Sequence, residues 1–531
     1  MSKNQHEYTI TLLPSGMIQP FPSETILAEA LLEMGIALKT PCGGKGTCGK
    51  CRVMVEGASE KVLACRTHIT RDLTVHAEQV EIDLDMRIPT IEPDSRILAA
   101  VDIGTTTVRI SLVDVAHESS FEVASFLNPQ RRFGHDVISR IAAAGTNRGV
   151  QGRLIRKAVQ GRLDHTLNAL GLAGDSIEGI VFSGNTIMLY LLFGLDVEGL
   201  GKYPYRVHVR DFESLSAQDI GLDSMGSVQI RSLPVLSAFI GGDLIGGLTH
   251  CRDLGITKNA FFIDLGTNGE LFILNAEGRP FATSCAMGPA LEGMNISYGM
   301  TADAGAITHI EEDEKDTISY HMIGEGDPAG ISGTALVDLL AILLDKGIIS
   351  HHGAFPRSKD VPPDPALSPS AVGEEAIGRL RISAGPNSEP SLLSLSHNGK
   401  SRELLLWGEI KLTQQDIRTV QLAKAASYAA SHFLLKAAGC VPSNIEHVII
   451  AGAFGEHLNI DNFRRLGFIP EFANAQYRFL GNTSLKAAEK ACMDPGFLDR
   501  AAALRDKTEE VVLSLEDGFQ EEFIRSLDFP L

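Results

Sequence analysis

The sequence predicts a small, β-rich α+β domain at the N-terminus followed by a duplicated pair of α/β domains, on three observations. Four of the eight cysteines crowd between Cys42 and Cys65. One strand, glycine turn and strand phrase occurs twice at a domain's spacing, as Asp102-Ile-Gly-Thr and Asp264-Leu-Gly-Thr. At about 150 residues per domain, 531 residues leave room for three or four cores. The balance of 47 Lys and Arg against 66 Asp and Glu gives −19, which disfavours the basic face that a nucleic-acid partner requires. Met1 to Pro14 lacks an apolar signal core, and no run of about 18 uncharged apolar residues occurs. A cytoplasmic chain without a membrane partner is expected.

Residues 1–86 form the first predicted domain. Tyr8 to Leu13 alternates as a strand, and Pro14-Ser15-Gly16 turns the chain. Ser23 to Met34 carries Ile26, Leu27, Ala30, Leu31 and Met34 at helical spacing, with Ser23 as the candidate N-cap. Strands follow at Cys51–Glu56 and Leu73–Ala77. Residues 1–93 hold 9 basic and 12 acidic side chains, so −16 of the charge lies in the rest. A linker over 87–97, with Pro89 and Pro93, leads to the first α/β half at 98–235 and the second at 236–531.

Ile97 to Asp114 reads as two apolar strands around a Gly-Thr turn, and Phe261 to Leu274 repeats it, with Asp264 standing for Asp102 and Gly266 for Gly104. Phe239 to Leu248 reads as a helix entered at Gly241-Gly242. Pro, Ser and Gly accumulate over 352–402, which reads as an irregular surface insertion. A helix is predicted over Gln415–Ala438, and a strand from His447 runs into Ala451-Gly-Ala-Phe-Gly.

The cysteines are spaced Cys42-x5-Cys48-x2-Cys51-x13-Cys65, with glycines at 43, 44, 46 and 49. Four thiolates satisfy zinc or a 2Fe–2S cluster by number alone. Structural zinc commonly uses two short knuckles, whereas here three cysteines share one glycine-rich loop, as close wrapping of backbone N–H groups around bridging sulfides requires. Cys251, Cys285, Cys440 and Cys492 are scattered and assigned to packing. Lys45, Lys50, Arg52 and Arg66 surround the predicted cluster, either to tune it or guide a partner or simply as solvated surface. The segment from Pro41 to Cys51 resembles the cluster loops of plant-type and adrenodoxin-type ferredoxins, whose β-grasp fold the resemblance implies. The short gap before Cys65 departs from their pattern.

Asp102-Ile-Gly-Thr-Thr-Thr and Asp264-Leu-Gly-Thr-Asn-Gly resemble the two phosphate-binding hairpins of the actin, sugar kinase and heat-shock chaperone superfamily, whose halves are duplicated ribonuclease H-like folds. In such hairpins Gly104, Thr105, Thr106, Gly266, Thr267 and Asn268 would meet phosphate through backbone N–H and hydroxyl groups. Asp102, Asp264 and the helix-borne Asp243 would hold Mg²⁺ through water and orient the attacking water. Gly452 and Gly455 resemble the adenosine loop, and Gly333 opens another helix. The bland alternative is a duplication whose nucleotide site has decayed. No Walker-type P-loop occurs, and no Gly-x-Gly-x-x-Gly sits in a strand–turn–helix context.

A one-electron centre joined to an ATP clamp suggests hydrolysis that drives electron transfer uphill, where ~120 mV for one electron costs ~2.7 kcal/mol. Nearly the whole chain is similar to the reductive activators of corrinoid proteins. The similarity includes Gly134 to Ile141, Ser183 to Met188, Gly288 to Met300, Thr413 to Arg418 and Gly481 to Leu485. It implies ATP-dependent reduction of cob(II)alamin to cob(I)alamin on a corrinoid protein of a methyltransferase system, supplied by a low-potential electron donor, with a homodimer common in the superfamily. His135 and Ser332-Gly333-Thr334 depart from the family pattern. Ser297 is a candidate oxygen donor to cobalt, against the favoured reading of a plain turn. A kinase with a redox-sensing ferredoxin domain, or a nucleotide-gated electron carrier that does not hydrolyse ATP, are the competing readings.

Overall fold

The computed structural model describes the chain apart from residues 1–5, 15, 35, 37, 39–45, 47–48, 77–90, 93, 135, 213–214, 289, 294, 314–315, 356–380, 384–390, 398–401 and 453–456. Cys42, Cys48, Gly455, His135, residues 87–90 and 93 of the linker and much of the predicted insertion lie outside the described residues.

The N-terminal unit contains β1 (Glu7–Leu13), β2 (Met17–Pro22), α1 (Leu27–Glu33), β3 (Arg52–Val55), β4 (Val62–Leu63) and β5 (Leu73–His76), in sheet order β2-β1-β5-β3-β4. Strands β1 and β5 run parallel at the centre and the remaining pairs are antiparallel. Leu27, Ala30 and Leu31 of α1 pack on Ile10, Leu12, Val53 and Val75, an apolar core made within the unit. The helix starts four residues later than expected. Ser23 does not cap it: its N–H donates to His6 O at 2.8 Å, Glu24 takes a φ of 69°, and the chain turns at 23–24 and bridges from Ile26 to His68 before the helix begins.

The first large sheet comprises the meander β6 (Ile97–Ile103), β7 (Thr107–Asp114) and β8 (Ser119–Leu127), then β9 (Gly179–Gly184), β10 (Leu215–Ser216) and β11 (Gln229–Ser232). The long helix α2 (Val137–Ala169) makes the crossover that lets β9 lie parallel to β6, and α3 (Thr186–Leu192) follows β9. All seven residues of β6 are buried, as a continuous apolar run at the centre of a sheet covered on both faces demands.

After α4 (Gly242–Asp253) the second sheet repeats the plan with β12 (Ala260–Leu265), β13 (Gly269–Leu274) and β14 (Pro280–Cys285). A smaller sheet is built from β15 (Ala306–Glu312), β16 (Thr317–Met322), β17 (Gly330–Ile331), β18 (Arg381–Ile382) and β19 (Ser391–Leu392). Helix α5 is Gly333–Asp345, and β20 (Ser394–His397), β21 (Arg402–Leu405) and β22 (Lys411–Thr413) form a third, antiparallel sheet before α6 (Gln414–Ala437). The chain ends with β23 (His447–Ala451), α7 (Ile460–Arg465), β24 (Gln476–Gly481), α8 (Thr483–Met493), α9 (Phe497–Arg505), β25 (Glu509–Glu510) and α10 (Phe519–Arg525).

The first sheet is ordered β10-β11-β9-β6-β7-β8 and the second β24-β23-β12-β13-β14-β25. Each half thus places its own five main strands in the order five, four, one, two, three, which bears out the duplicated fold. The described part of the 352–402 insertion is less irregular than expected. Its strands β18 and β19 extend the β15–β16 sheet, and Ile382 and Leu393 join the second-half core. Helix α8, late in the chain, crosses back to the first sheet, where Leu485, Ala488 and Ala491 pack on Leu98, Ala100 and Val181. Cys251, Cys285 and Cys492 are buried, and burial pushes the Cys251 and Cys492 thiols up to about 12, which keeps them protonated packing groups.

Candidate functional site

The first hairpin turn, Gly104 to Thr106, is fixed from behind. Asn128 Nδ2 donates to Gly104 O at 2.8 Å, a buried Arg140 guanidinium N–H to Thr105 O at 2.5 Å, and the Asn128 N–H to Thr106 O at 2.8 Å. Three successive carbonyls are therefore held by the 128–140 segment. Gly104 has no room for a side chain, since a Cβ would stand 2.6 Å from Thr107 O. Burial lowers the Arg140 pKa to about 9, with Arg131 beside it adding repulsion. Sequence reasoning singled out neither Asn128 nor the bracing role of Arg140. The only signal was that Arg140 falls within the Gly134 to Ile141 phrase.

The second hairpin comes to meet the first. The Thr106 and Thr267 hydroxyls are 2.8 Å apart, and Thr267 Oγ1 donates to Glu292 Oε1 at 3.1 Å. Burial raises the Glu292 pKa, against the bonds from both threonines and the charge of Arg131. The Gly266 N–H donates to Asn268 O at 3.1 Å, and the Asn268 side chain bonds Glu270. Glu292, in the glycine-rich phrase after β14, thus clasps both turns.

Asp102, at the end of β6, accepts from Asn482 Nδ2 and Ser484 Oγ, each at 2.7 Å. Asn482 also caps α8, its Oδ1 accepting the Leu485 N–H at 2.9 Å. Asp243 lies in the first turn of α4, and its Oδ1 accepts the Leu244 N–H at 2.8 Å. Burial pushes Asp243 up to about 7 and Asp264 up to about 8. The charge of Asp102 adds to both, and that of Asp243 adds to Asp264. The structure therefore brings the three predicted aspartates together. It also adds a fourth carboxyl: Glu270 faces Asp264 directly across the β12–β13 pair, and burial followed by the charges of Asp243 and Asp264 raises it well above the ordinary range. In the first half the corresponding neighbour of Asp102 is Arg109, so the like-charged pair is peculiar to the second half. A set of buried and half-buried carboxyls that repel one another fits a divalent cation, which would offset that repulsion.

Gly452 follows β23 with a φ of 92°, and a Cβ there would lie 2.8 Å from Asp264 Oδ1 and 2.7 Å from Leu265 O. Only glycine lets this turn approach the second hairpin. Gly333 opens α5 beside Ser332, whose Oγ accepts the Ala335 N–H at 3.3 Å and lies 2.7 Å from Thr334 Oγ1. Among the described contacts none joins Gly333 to the carboxylates. The Ser297 N–H and hydroxyl donate to Asp416 Oδ1 at 2.7 and 3.1 Å, so its turn is pinned to the start of α6, in keeping with the plain-turn reading.

In the N-terminal unit Cys51 precedes β3 and Cys65 follows β4. These strands pair Arg52 with Leu63, and the Ala64 N–H donates to Cys51 O at 3.0 Å. The two buried thiols are thereby set at neighbouring strand ends. Gly46 and Gly49 adopt φ values of 80° and 67°, and a Cβ on Gly46 would meet Arg66 Cγ at 2.9 Å. At these two positions the backbone takes the left-handed conformation that glycine favours.

The chain is similar to known proteins over nearly its whole length. Residues 10–70 match the 2Fe–2S iron-sulfur cluster binding domain, 98–253 the RACo middle region, and 258–366 with 387–531 the C-terminal ASKHA domain of RACo. The corrinoid activation enzyme RamQ of Eubacterium limosum is 27% identical over 593 aligned positions, covering 95% of this chain and 96% of that protein. A Co(II) methylated amine-specific corrinoid protein reductase of Methanosarcina barkeri is 22% identical over 462, covering 81% and 76%. The solved structure of a reductive activator for a corrinoid iron-sulfur protein superposes with a TM-score of 0.69 at 25% identity, covering 99% of this chain and 98% of that one. The chain thus carries a 2Fe–2S cluster domain and an ATP-binding ASKHA domain. No helix among the described residues is long and apolar enough to cross a membrane.

Proposed function

We propose that this chain, which belongs to the family of reductive activators of corrinoid proteins, is an ATP-hydrolysing one-electron reductase that returns cob(II)alamin on a corrinoid protein to cob(I)alamin for a methyltransferase system such as an O-demethylase. The observation that carries the reading is the joining, in one chain, of a 2Fe–2S cluster binding domain to two touching phosphate hairpins backed by four carboxyls, Asp102 and Glu270 buried and Asp243 and Asp264 half-buried.

Cys42, Cys48, Cys51 and Cys65 would hold the 2Fe–2S cluster, which supplies one-electron transfer when bound. Asp102, Asp243 and Asp264 would hold Mg²⁺ through water. Asp102, oriented by Asn482 and Ser484, stays fixed as charge builds on the terminal phosphate. The N–H groups and hydroxyls of Gly104, Thr105, Thr106, Thr267 and Asn268 would take the phosphates, with Gly266, whose own N–H donates to Asn268 O, shaping the second turn. The carbonyl bonds to Asn128 and Arg140 leave the first turn's N–H groups available. Gly452, with Gly455 and Gly333, would bound the nucleoside. The working division is a ferredoxin domain over 1–86, a linker over 87–97 and ATPase halves over 98–235 and 236–531, in a cytoplasmic homodimer fed by a low-potential donor.

Iron-loaded protein given a Co(II) corrinoid protein, a low-potential donor, ATP and Mg²⁺ is expected to convert Co(II) to Co(I), followed by the optical change of the corrinoid. Equal rates with and without ATP would overturn the coupling. Phosphoryl transfer to a small acceptor that survives Cys48→Ser would instead identify a kinase.

A further inference from the structure

We infer that His351, His352 and Asp528 form a binding site for a divalent transition metal of the zinc, nickel or cobalt type, which fastens the end of the chain to the turn after α5. One donor atom from each residue lies within 4.8 Å of the other two. Consecutive residues of an extended chain point to opposite sides, yet here a turn brings the two imidazoles to a centroid distance of 3.7 Å. His352 Nδ1 stands 2.9 Å from Asp528 Oδ2. An ion pair between His352 and Asp528 uses two of these groups; His351, held by its ring contact with His352 and by the Phe529 N–H bond to its carbonyl, supplies a third donor atom beside them.

Both sides of the site are held on α6, and one backbone bond joins them directly. On the turn side, the Gly353 N–H donates to Ser350 O at 2.7 Å, Gln414 Nε2 to Gly353 O at 2.6 Å, and Arg418 to His352 O at 3.0 Å. Gly353 has a φ of 70°, and a Cβ there would strike the Gln421 carboxamide at 2.5 Å, so the turn is pressed onto α6. On the tail side, Gln421 Nε2 donates to Leu527 O at 2.8 Å, Lys424 Nζ to Asp528 O at 2.5 Å, and the Phe529 N–H to His351 O at 2.7 Å, with the Phe529 ring buried. Ligands fixed by their own supports lose little freedom when the metal binds.

Two imidazoles and one carboxylate suit zinc, nickel or cobalt rather than the all-oxygen preference of magnesium or calcium. Three protein ligands leave a position for water. The cationic Arg418 and Lys424 beside the site weaken it, so micromolar affinity is expected rather than that of a closed structural zinc centre.

The test is equilibrium dialysis of the iron-loaded full chain against micromolar Zn²⁺, followed by metal analysis with iron as the internal count. Wild type is expected to retain one more zinc per chain than His351→Ala, His352→Gln or Asp528→Asn, and Zn²⁺ to raise the thermal midpoint of wild type alone. His352→Gln keeps a hydrogen-bond donor for Asp528, so the fold is preserved while the ligand is lost. Equal zinc content and equal thermal response in wild type and His352→Gln would overturn the site.

Discussion

Asp102 owes its position to residues nearly four hundred places further along, and that dependence is testable. Removing the Asn482 side chain deletes both the α8 cap and a bond to Asp102. Asn482→Ala should cost about 1–2 kcal/mol in stability and lower ATP turnover. Lys486→Ala, one turn along the same helix and outside the site, should leave turnover unchanged. The aspartates also make the site sensitive to pH. Folded values of about 7 for Asp243 and about 8 for Asp264 lie above an unfolded value of 3.8, so between these limits the folded protein binds more protons than the unfolded chain. Their contribution to stability is present below about pH 4 and lost as pH rises through 7 to 8. A cation bound there expels those protons. Calorimetric titration of Mg–ATP near pH 7 should give a heat that varies with the ionisation enthalpy of the buffer, and Asp264→Asn should reduce that variation. A heat independent of buffer would contradict it.

Helices, strands and turns were unevenly legible. The two hairpins could be read because their phrase is local and repeated, and β6 and β12 because continuous apolar runs have few other uses in a chain of this kind. Helix α1 was misjudged at its start because Ser23 satisfies the usual capping chemistry while the backbone at Glu24 turns left-handed. The short strands near 381–397 were hidden by Pro, Ser and Gly, residues that mark turns whether or not strands lie between them. Glu270 and Glu292 were invisible as site residues. Each depends on a cross-strand or inter-hairpin neighbour, and an isolated glutamate carries no signal of that. The turn after β23 gives a sharper expectation. Gly452→Val must place a branched side chain against Asp264 Oδ1 at a φ of 92°, at a cost of about 1–3 kcal/mol. Its thermal midpoint should fall and its affinity for ATP should drop more than tenfold in equilibrium binding.

Across the whole molecule the halves are not independent bodies laid end to end. The N-terminal unit builds its described core from its own residues, so a fragment ending near residue 93 should load iron and show the optical bands of the full chain's cluster. A fragment covering 98–253 should fare badly, because Leu98, Ala100, Val113 and Val181 would lose the cover of α8. Circular dichroism and sedimentation should find it aggregated, and a monomeric, cooperatively melting fragment would refute the argument. The duplication was readable in the chain; the return of α8 was not, since its alanine-rich face would suit either sheet. That return also sets an order of assembly on the ribosome. Helix α8 emerges about 250 residues after the last strand of the sheet it covers, a delay of roughly 12–50 s at about 5–20 residues per second. Through that interval the ferredoxin unit is already complete and free to acquire iron, while the first ATPase sheet stands half clothed and within reach of chaperones. The nascent chain can hold an electron carrier well before it has any means of spending ATP.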